Sequence, residues 1–145
     1  MTRVSEAHVE IAGEVVGSIG VGLLTLVGVG SNDTESDARY VAQKVIGLRI
    51  FPDGAGAMNR SLSEVGGAVL AISQFTLFGD VRKGRRPSFS AAGEPGMGRQ
   101  LYDHFVEELR RNGTSVATGQ FGAMMEVVSS NAGPVTILID SQRTF

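Results

Sequence analysis

Hydrophobic and polar positions change rhythm several times along this chain of 145 residues. Ala7-His8-Val9-Glu10-Ile11 alternates as a half-buried strand does, and Ala12-Gly13-Glu14 reads as a hairpin turn into Val15-Val16-Gly17-Ser18-Ile19. Residues 23–29 are a continuous apolar run, hence a buried strand. SNDTESD then supplies helix-start chemistry, with Asp33 or Thr34 as the cap and acids in the first turn. The helix carries Ala38, Val41, Ala42, Val45 and Ile46 on one face and ends near Arg49. FPDGAGAMN reads as a loop, residues 61–67 as a connection, and residues 68–78 as a strand. A second helix follows AAGEPGMG, with Met97, Leu101, Phe105 and Leu109 on its stripe, Arg110 and Arg111 near its end and Gly113 beyond it. TSVATGQF, AMMEVVSS and VTILID read as strands, with NAGP between the last two. This order predicts a single compact α/β domain over residues 1–145, with a mixed or mainly antiparallel sheet and two main helices.

Composition narrows the chemistry. With no cysteine, the chain has no disulfide framework, thiolate metal site or cysteine nucleophile. His8 and His104 belong to no ligand-spaced cluster, so no metal site is expected. No GxGxxG unit between strand and helix and no Walker loop is present, so no nucleotide cofactor is expected. The N-terminus has no signal-peptide core and no apolar run reaches membrane-spanning length; the expectation is a soluble, cytoplasmic protein without membrane contact. Net charge is −2, but Arg82, Lys83, Arg85 and Arg86 crowd one loop with no acid among them. Such a loop is either a solvated basic turn or a phosphate-binding one.

Three stretches carry candidate chemistry. SQFTLFGD, residues 73–80, places Ser73, Gln74 and Thr76 after a run built for a core, where polar groups cost free energy unless bonded. In this strand Ser73 and Phe75 share one face and Gln74 and Thr76 the other, so both faces carry a polar group. A threonine nucleophile needs a base, and the stretch offers none before Asp80, which leaves positioning and electrostatic stabilisation as its natural work. In TGQFGAMM, Phe121 and Met125 suit a core or a subunit interface first and a pocket wall second. In NAGPVT, Gly133-Pro134 is a turn between strands; about 5–6% of such bonds are cis in folded proteins, and a cis bond here would turn the flanking carbonyls toward a ligand.

Taken in order, SQFTLFGD, RKGRRPSFS, TGQFGAMM and NAGPVT resemble the D-aminoacyl-tRNA deacylase family. The resemblance runs essentially end to end and includes GLLTLVGV, GLRIF and GAMNRSLSEVGG. It implies a barrel-like α/β domain that works as a homodimer, with sites at the subunit interface. It implies hydrolysis of the ester joining a D-amino acid to the 3′-terminal adenosine of tRNA, and of mischarged Gly-tRNA, without a cofactor. Ser73, Gln74, Phe75 and Thr76 would line the catalytic site. Gly133 and Pro134, joined by a cis bond, would reach into the partner's site and exclude an L side chain. The substrate's 2′-hydroxyl would assist water; an older reading makes Thr76 the nucleophile. Arg82, Lys83, Arg85 and Arg86 become candidate tRNA contacts, and Phe121, Met125 and Asn131 candidate pocket walls. Family members usually carry several more residues before Arg3-Val4-Ser5, completing the first strand, and often an acid where Ala132 stands. The rival readings are a tRNA-end binding module without catalysis, a generic esterase and a structural dimer domain.

Overall fold

The computed structural model describes residues 1–144. The chain opens with strand β1 (Thr2–Ile11), whose Ala7 and Val9 point inward with the expected period of two. Val4 is also buried, one residue out of phase, and the pairing register shifts beside it. Ala12 and Gly13, both at positive φ, turn the chain into β2 (Glu14–Ile19), the two-residue hairpin geometry that matches strand twist. Next come β3 (Gly22–Val27) and helix α1 (Glu35–Gly47), started by a reciprocal capping box between Thr34 and Asp37. Phe51–Pro52 and Met58–Arg60 form a small antiparallel ribbon, β4 and β5, where the sequence reads as plain loop. The Asp53 carboxylate holds that ribbon's turn, accepting from the amides of Ala55 and Ala57 and from Asn59 Nδ2.

Strand β6 (Ala68–Ser73) lies parallel to β3 in full register, Gly22 beside Ala68 and Val27 beside Ser73. Helix α2 (Pro95–Arg111) is capped by the Glu94 carboxylate, which accepts from the amides of Gly96 and Met97. It buries Leu101, Phe105 and Leu109 as expected, and Tyr102 and Val106 beside them. Then come β7 (Ser115–Thr118), parallel to β6, and β8 (Glu126–Thr136), antiparallel to β1. Residues 137–140 are not strand, although the Ile137 amide still donates to the Met1 carbonyl, 2.9 Å.

The sheet runs β2-β1-β3-β6-β7, with β8 also on β1. It curls until its ends nearly meet: a Cβ on Gly17 of β2 would stand 2.5 Å from the Thr118 carbonyl of β7. Alternate residues of β3 and β6 therefore serve two cores. Leu23, Val69 and Ala71 pack with α1 and α2, while Leu24, Leu70 and Ile72 fill the barrel with Val4, Ala7 and Val9. That double burial is why residues 22–25 are apolar or sealed on both faces; the Thr25 hydroxyl reaches the Leu70 carbonyl at 3.4 Å. Tyr102 spans the two layers, its buried hydroxyl donating to the Ala71 carbonyl at 2.8 Å, and burial pushes its pKa up to about 12.

The β3–β6 contact leaves no room for one more atom. A Cβ on Gly22 would lie 1.9 Å from the Ala68 carbonyl oxygen, a backbone atom that moves only if the ladder opens. Gly22→Ala is expected to cost about 3 kcal/mol, the upper end of ordinary overpacking. An unchanged denaturation midpoint would contradict this packing.

Candidate active site

The strand expected over residues 68–78 ends at Ser73, and this corrects the alternate-face reading of SQFTLFGD. Gln74 makes the last sheet contact, its amide donating to the Val27 carbonyl at 2.7 Å. Phe75–Phe78 then wind into a 3-10 helix. The cause lies far away in sequence: the Phe78 ring lies on Gly28 and Gly30, where an added Cβ would sit 3.0 and 3.1 Å from ring carbons. With Phe78 seated inward, Phe75, Thr76 and Leu77 are turned outward, Phe75 58% exposed. The polar residues are thus displayed at a strand end rather than buried in a core.

The turn is rich in donors and lacks a base. Gln74 Nε2 lies 3.1 Å from Thr76 Oγ1. An amide cannot take a proton from a hydroxyl, and no imidazole, amine or carboxylate bonds Thr76 among the described residues. The two histidines pair elsewhere, His8 with Glu10 at 3.0 Å and His104 with Glu35 at 3.1 Å. The amides of Phe75 and Thr76 have no backbone acceptor outside the turn, as is usual for the first donors of a helical turn.

The basic loop is a closed structure. Asp80 and Ser88 exchange two backbone bonds, 2.8 and 3.0 Å, across its neck. The Asp80 carboxylate then grips Arg82 as a fork, Nε at 2.8 Å and Nη2 at 2.7 Å. That fork and the Arg82 amide hold the Asp80 carboxyl well below its usual range, at about 2. Arg82 is therefore partly neutralised, by an acid that sits just outside the acid-free stretch. Lys83, Arg85 and Arg86 have no acidic partner among the described residues and are exposed.

Gly133-Pro134 lies in a bulge. The register places Thr2 opposite Thr136 and Val4 opposite Asn131, so Arg3 alone faces residues 132–135. The Gly133-Pro134 bond is cis. Arg3 Nε donates to the Ala132 carbonyl at 2.8 Å and Nη1 to the Ile50 carbonyl at 2.5 Å, tying the bulge to the segment after α1. Gly133 sits at φ +133°, and a Cβ there would meet Arg3 Nη2 at 2.6 Å, so both backbone and space call for glycine. Asn131 closes the bulge through Oδ1, which accepts from the Val135 amide at 3.0 Å. Gly133 and Pro134 themselves are exposed.

No hydrogen bond among the described residues joins the two motifs of one chain. From β8 to β6 the path crosses β1 and β3, three strand spacings or about 14 Å. Among the other candidates, Phe121 packs toward α2, its ring 6.2 Å from that of Tyr102. Met125 lies against the Gly119 backbone and Ile72, in the barrel core. Sequence reading missed Arg3, Phe78 and Asp80; only Asp80 left a signal, as the acid next to the basic run.

A model of the family described as D-Tyr-tRNA(Tyr) deacylase matches residues 1–140. The chain belongs to the D-aminoacyl-tRNA deacylase family. Relatives named D-aminoacyl-tRNA deacylase include one from Symbiobacterium thermophilum, 58% identical over 99% of this chain and 95% of its own. Another, from Thermus aquaticus, is 55% identical over 96% of this chain and 91% of its own. A solved structure named c-Myc DNA Unwinding Element Binding Protein superposes with a TM-score of 0.88 at 35% identity, covering 94% of this chain and 93% of that one. A probable eukaryotic D-amino acid tRNA deacylase shares the fold at 20% identity, TM-score 0.77, over 92% of each chain. The family membership makes this deacylase a hydrolase acting on aminoacyl-tRNA.

Two measurements check the site's supports. The folded Asp80 carboxyl holds its proton more weakly than an unfolded one. The clamp therefore favours the closed loop above about pH 4 and that contribution fades as the pH falls toward about 2. Carboxyl NMR should place Asp80 near 2, rising toward 3.8 in Arg82→Ala; a wild-type value near 3.8 would contradict the fork. Arg3→Met should cost about 2 kcal/mol and speed hydrogen exchange at Val135, because two charge-assisted bonds to carbonyls are lost. Unchanged exchange there would contradict the anchoring of the bulge.

Proposed function

We propose that this chain hydrolyses the ester between a D-amino acid and the 3′-terminal adenosine of tRNA, releasing both, as a homodimer. In it the turn at residues 73–76 of one protomer faces Gly133-Pro134 of its partner. The observation that carries the chemistry is the exposed donor array without a base. The amides of Phe75 and Thr76 take the ester carbonyl and stabilise the oxyanion that forms as water adds. The 2′-hydroxyl of the terminal ribose assists the water, and the tetrahedral intermediate collapses with the 3′-oxygen leaving as the ribose hydroxyl. One acyl–oxygen bond forms to water and one breaks to the 3′-oxygen, which receives the proton that the water gives up, and no side chain becomes covalently attached.

Chiral choice needs a firm wall, since D and L esters differ only in the direction of the side chain. The bulge held by Arg3 and Asn131 supplies it, and its carbonyls crowd the place of an L side chain. Glycine has no side chain to reject, so mischarged Gly-tRNA is accepted too. Dimer assembly is supported by the placement of the two motifs on strands that do not pair with each other and by β8, which among the described residues pairs with β1 alone and exposes Val127 and Val128. The loop cations Lys83, Arg85 and Arg86, with Arg82 in a lesser part, steer the phosphates of the acceptor end. Asn131, Phe121 and Met125 shape the surroundings from behind. A translation substrate places the enzyme in the cytoplasm.

Purified protein should release tyrosine from D-Tyr-tRNA and leave L-Tyr-tRNA intact. Release of neither, with tRNA still bound, would make the chain a tRNA-end binding module instead. Thr76→Ala should keep kcat within about tenfold of wild type, since loss of a true nucleophile costs several orders of magnitude more. Arg85→Ala with Arg86→Ala should raise KM and flatten its salt dependence, by about two counterions' worth. A salt profile parallel to wild type would remove the loop from tRNA binding.

A further inference from the structure

The proposed chemistry uses the Phe75 amide but gives no role to the Phe75 and Phe89 rings, an exposed pair that burial does not demand. The Phe75 and Phe89 rings meet edge to face, centroids 5.1 Å apart and planes at 70°. Both remain open to solvent, Phe75 at 58% and Phe89 at 37%. Phe75 belongs to the reactive turn, and Phe89 is the first residue beyond the neck of the basic loop. That neck is fixed on each side. Before it, the Gly79 amide donates to the Thr76 carbonyl at 3.0 Å, joining the loop to the turn. After it, the Phe89 carbonyl accepts from the Ala92 amide at 3.0 Å, and the Gly93 amide reaches the Val29 carbonyl at 2.8 Å. Gly79 leaves the space the Phe89 ring fills: a Cβ there would stand 3.1 Å from Phe89 Cε1. Every unpartnered cation of the loop, Lys83, Arg85 and Arg86, lies between these two anchors, in a tip turned at Gly84 with φ +88°.

We propose that Phe89 is a positioning residue that couples phosphate contacts on the basic loop to Phe75 and the adjoining amides. The inference rests on the deacylase reading and extends it. A phosphate held at the tip pulls on the neck between Asp80 and Ser88, and the Phe89 ring transmits that restraint to the Phe75 ring it meets edge to face. Loop binding energy is then spent on the geometry of the reacting ester and appears in kcat as well as in KM. Rim charges that only steered the RNA would act on KM alone.

The test is a kinetic cycle on D-Tyr-tRNA with four proteins: wild type, the loop pair Arg85→Ala/Arg86→Ala, Phe89→Ala, and all three substitutions together. The loop pair is expected to lower kcat about tenfold besides raising KM, and Phe89→Ala to lower kcat by about as much, the scale of a modest misplacement. In the combined protein the loop substitutions should change KM alone. Phe89→Tyr, which keeps the ring edge, should restore wild-type kcat, and Phe89→Leu, which fills space without a ring, should not. Should Phe89→Ala fail to fold, Phe89→Leu takes its place in the cycle. Independent, multiplying kcat losses, or wild-type kcat in Phe89→Leu, would overturn the coupling. A wild-type protein that releases no D-tyrosine would overturn the deacylase reading and this inference with it; an active wild type with multiplying losses overturns this inference alone.

Discussion

Strand β1 is paired on both of its edges along nearly its whole length, with β2 and β3 sharing one edge and β8 taking the other. Removing it would separate the hairpin, the parallel pair that leads into the 3-10 turn at Phe75–Phe78, and the strand that carries Gly133-Pro134. Its inward residues Val4, Ala7 and Val9 fill the barrel, so the ladder and the core are set by the same ten residues. Its arginine, Arg3, does a different job, because it alone faces four residues of β8, three more than the ladder would pair with it, and bonds their backbone. The fold thus places one motif at a strand end beyond β6 and the other in a bulge opposite Arg3, and keeps them apart.

Much of the framework was legible in the residues. The hairpin at Ala12-Gly13, the Thr34 cap and the α2 stripe each combine a local signal with a period, and each stands where expected. The mixed, barrel-like sheet with two helices also stands. The errors fall where local pattern is silent. FTLF has the apolar content of a strand end, and only Gly28 and Gly30, some fifty residues upstream, make a seat that curls it into a 3-10 turn. The NAGP turn reads as a break between two strands, yet it is a bulge within one ladder, stabilised by an arginine 129 residues away. A ribbon at FPDGAGAMN depends on Asp53 bonding its own turn, which composition alone reads as loop.

Electrostatically the site is a place of neutral donors rather than of tuned acids and bases. The strongly shifted groups serve structure: Asp80 closes the basic loop, and Tyr102 joins helix to barrel. The titratable side chains near the turn are therefore spent on geometry, which fits chemistry that relies on the substrate's own hydroxyl. It also divides the loop into a fixed neck and a tip, so that three of its four cations stand without an acidic partner among the described residues.

The central claim is that each complete site takes its wall from a second copy of the chain. It is tested most directly by mixing two defective proteins. One carries Phe75→Pro and Thr76→Pro, which remove both oxyanion amides, and keeps its Gly133-Pro134 turn; the other keeps residues 73–76 and has that turn replaced. Alone, the first should release nothing and the second should release both D- and L-tyrosine. With the first in excess, the account predicts that the second recovers rejection of L-Tyr-tRNA while still clearing D-Tyr-tRNA. Unchanged release of L-tyrosine across the whole titration, with mixed dimers formed, would contradict it.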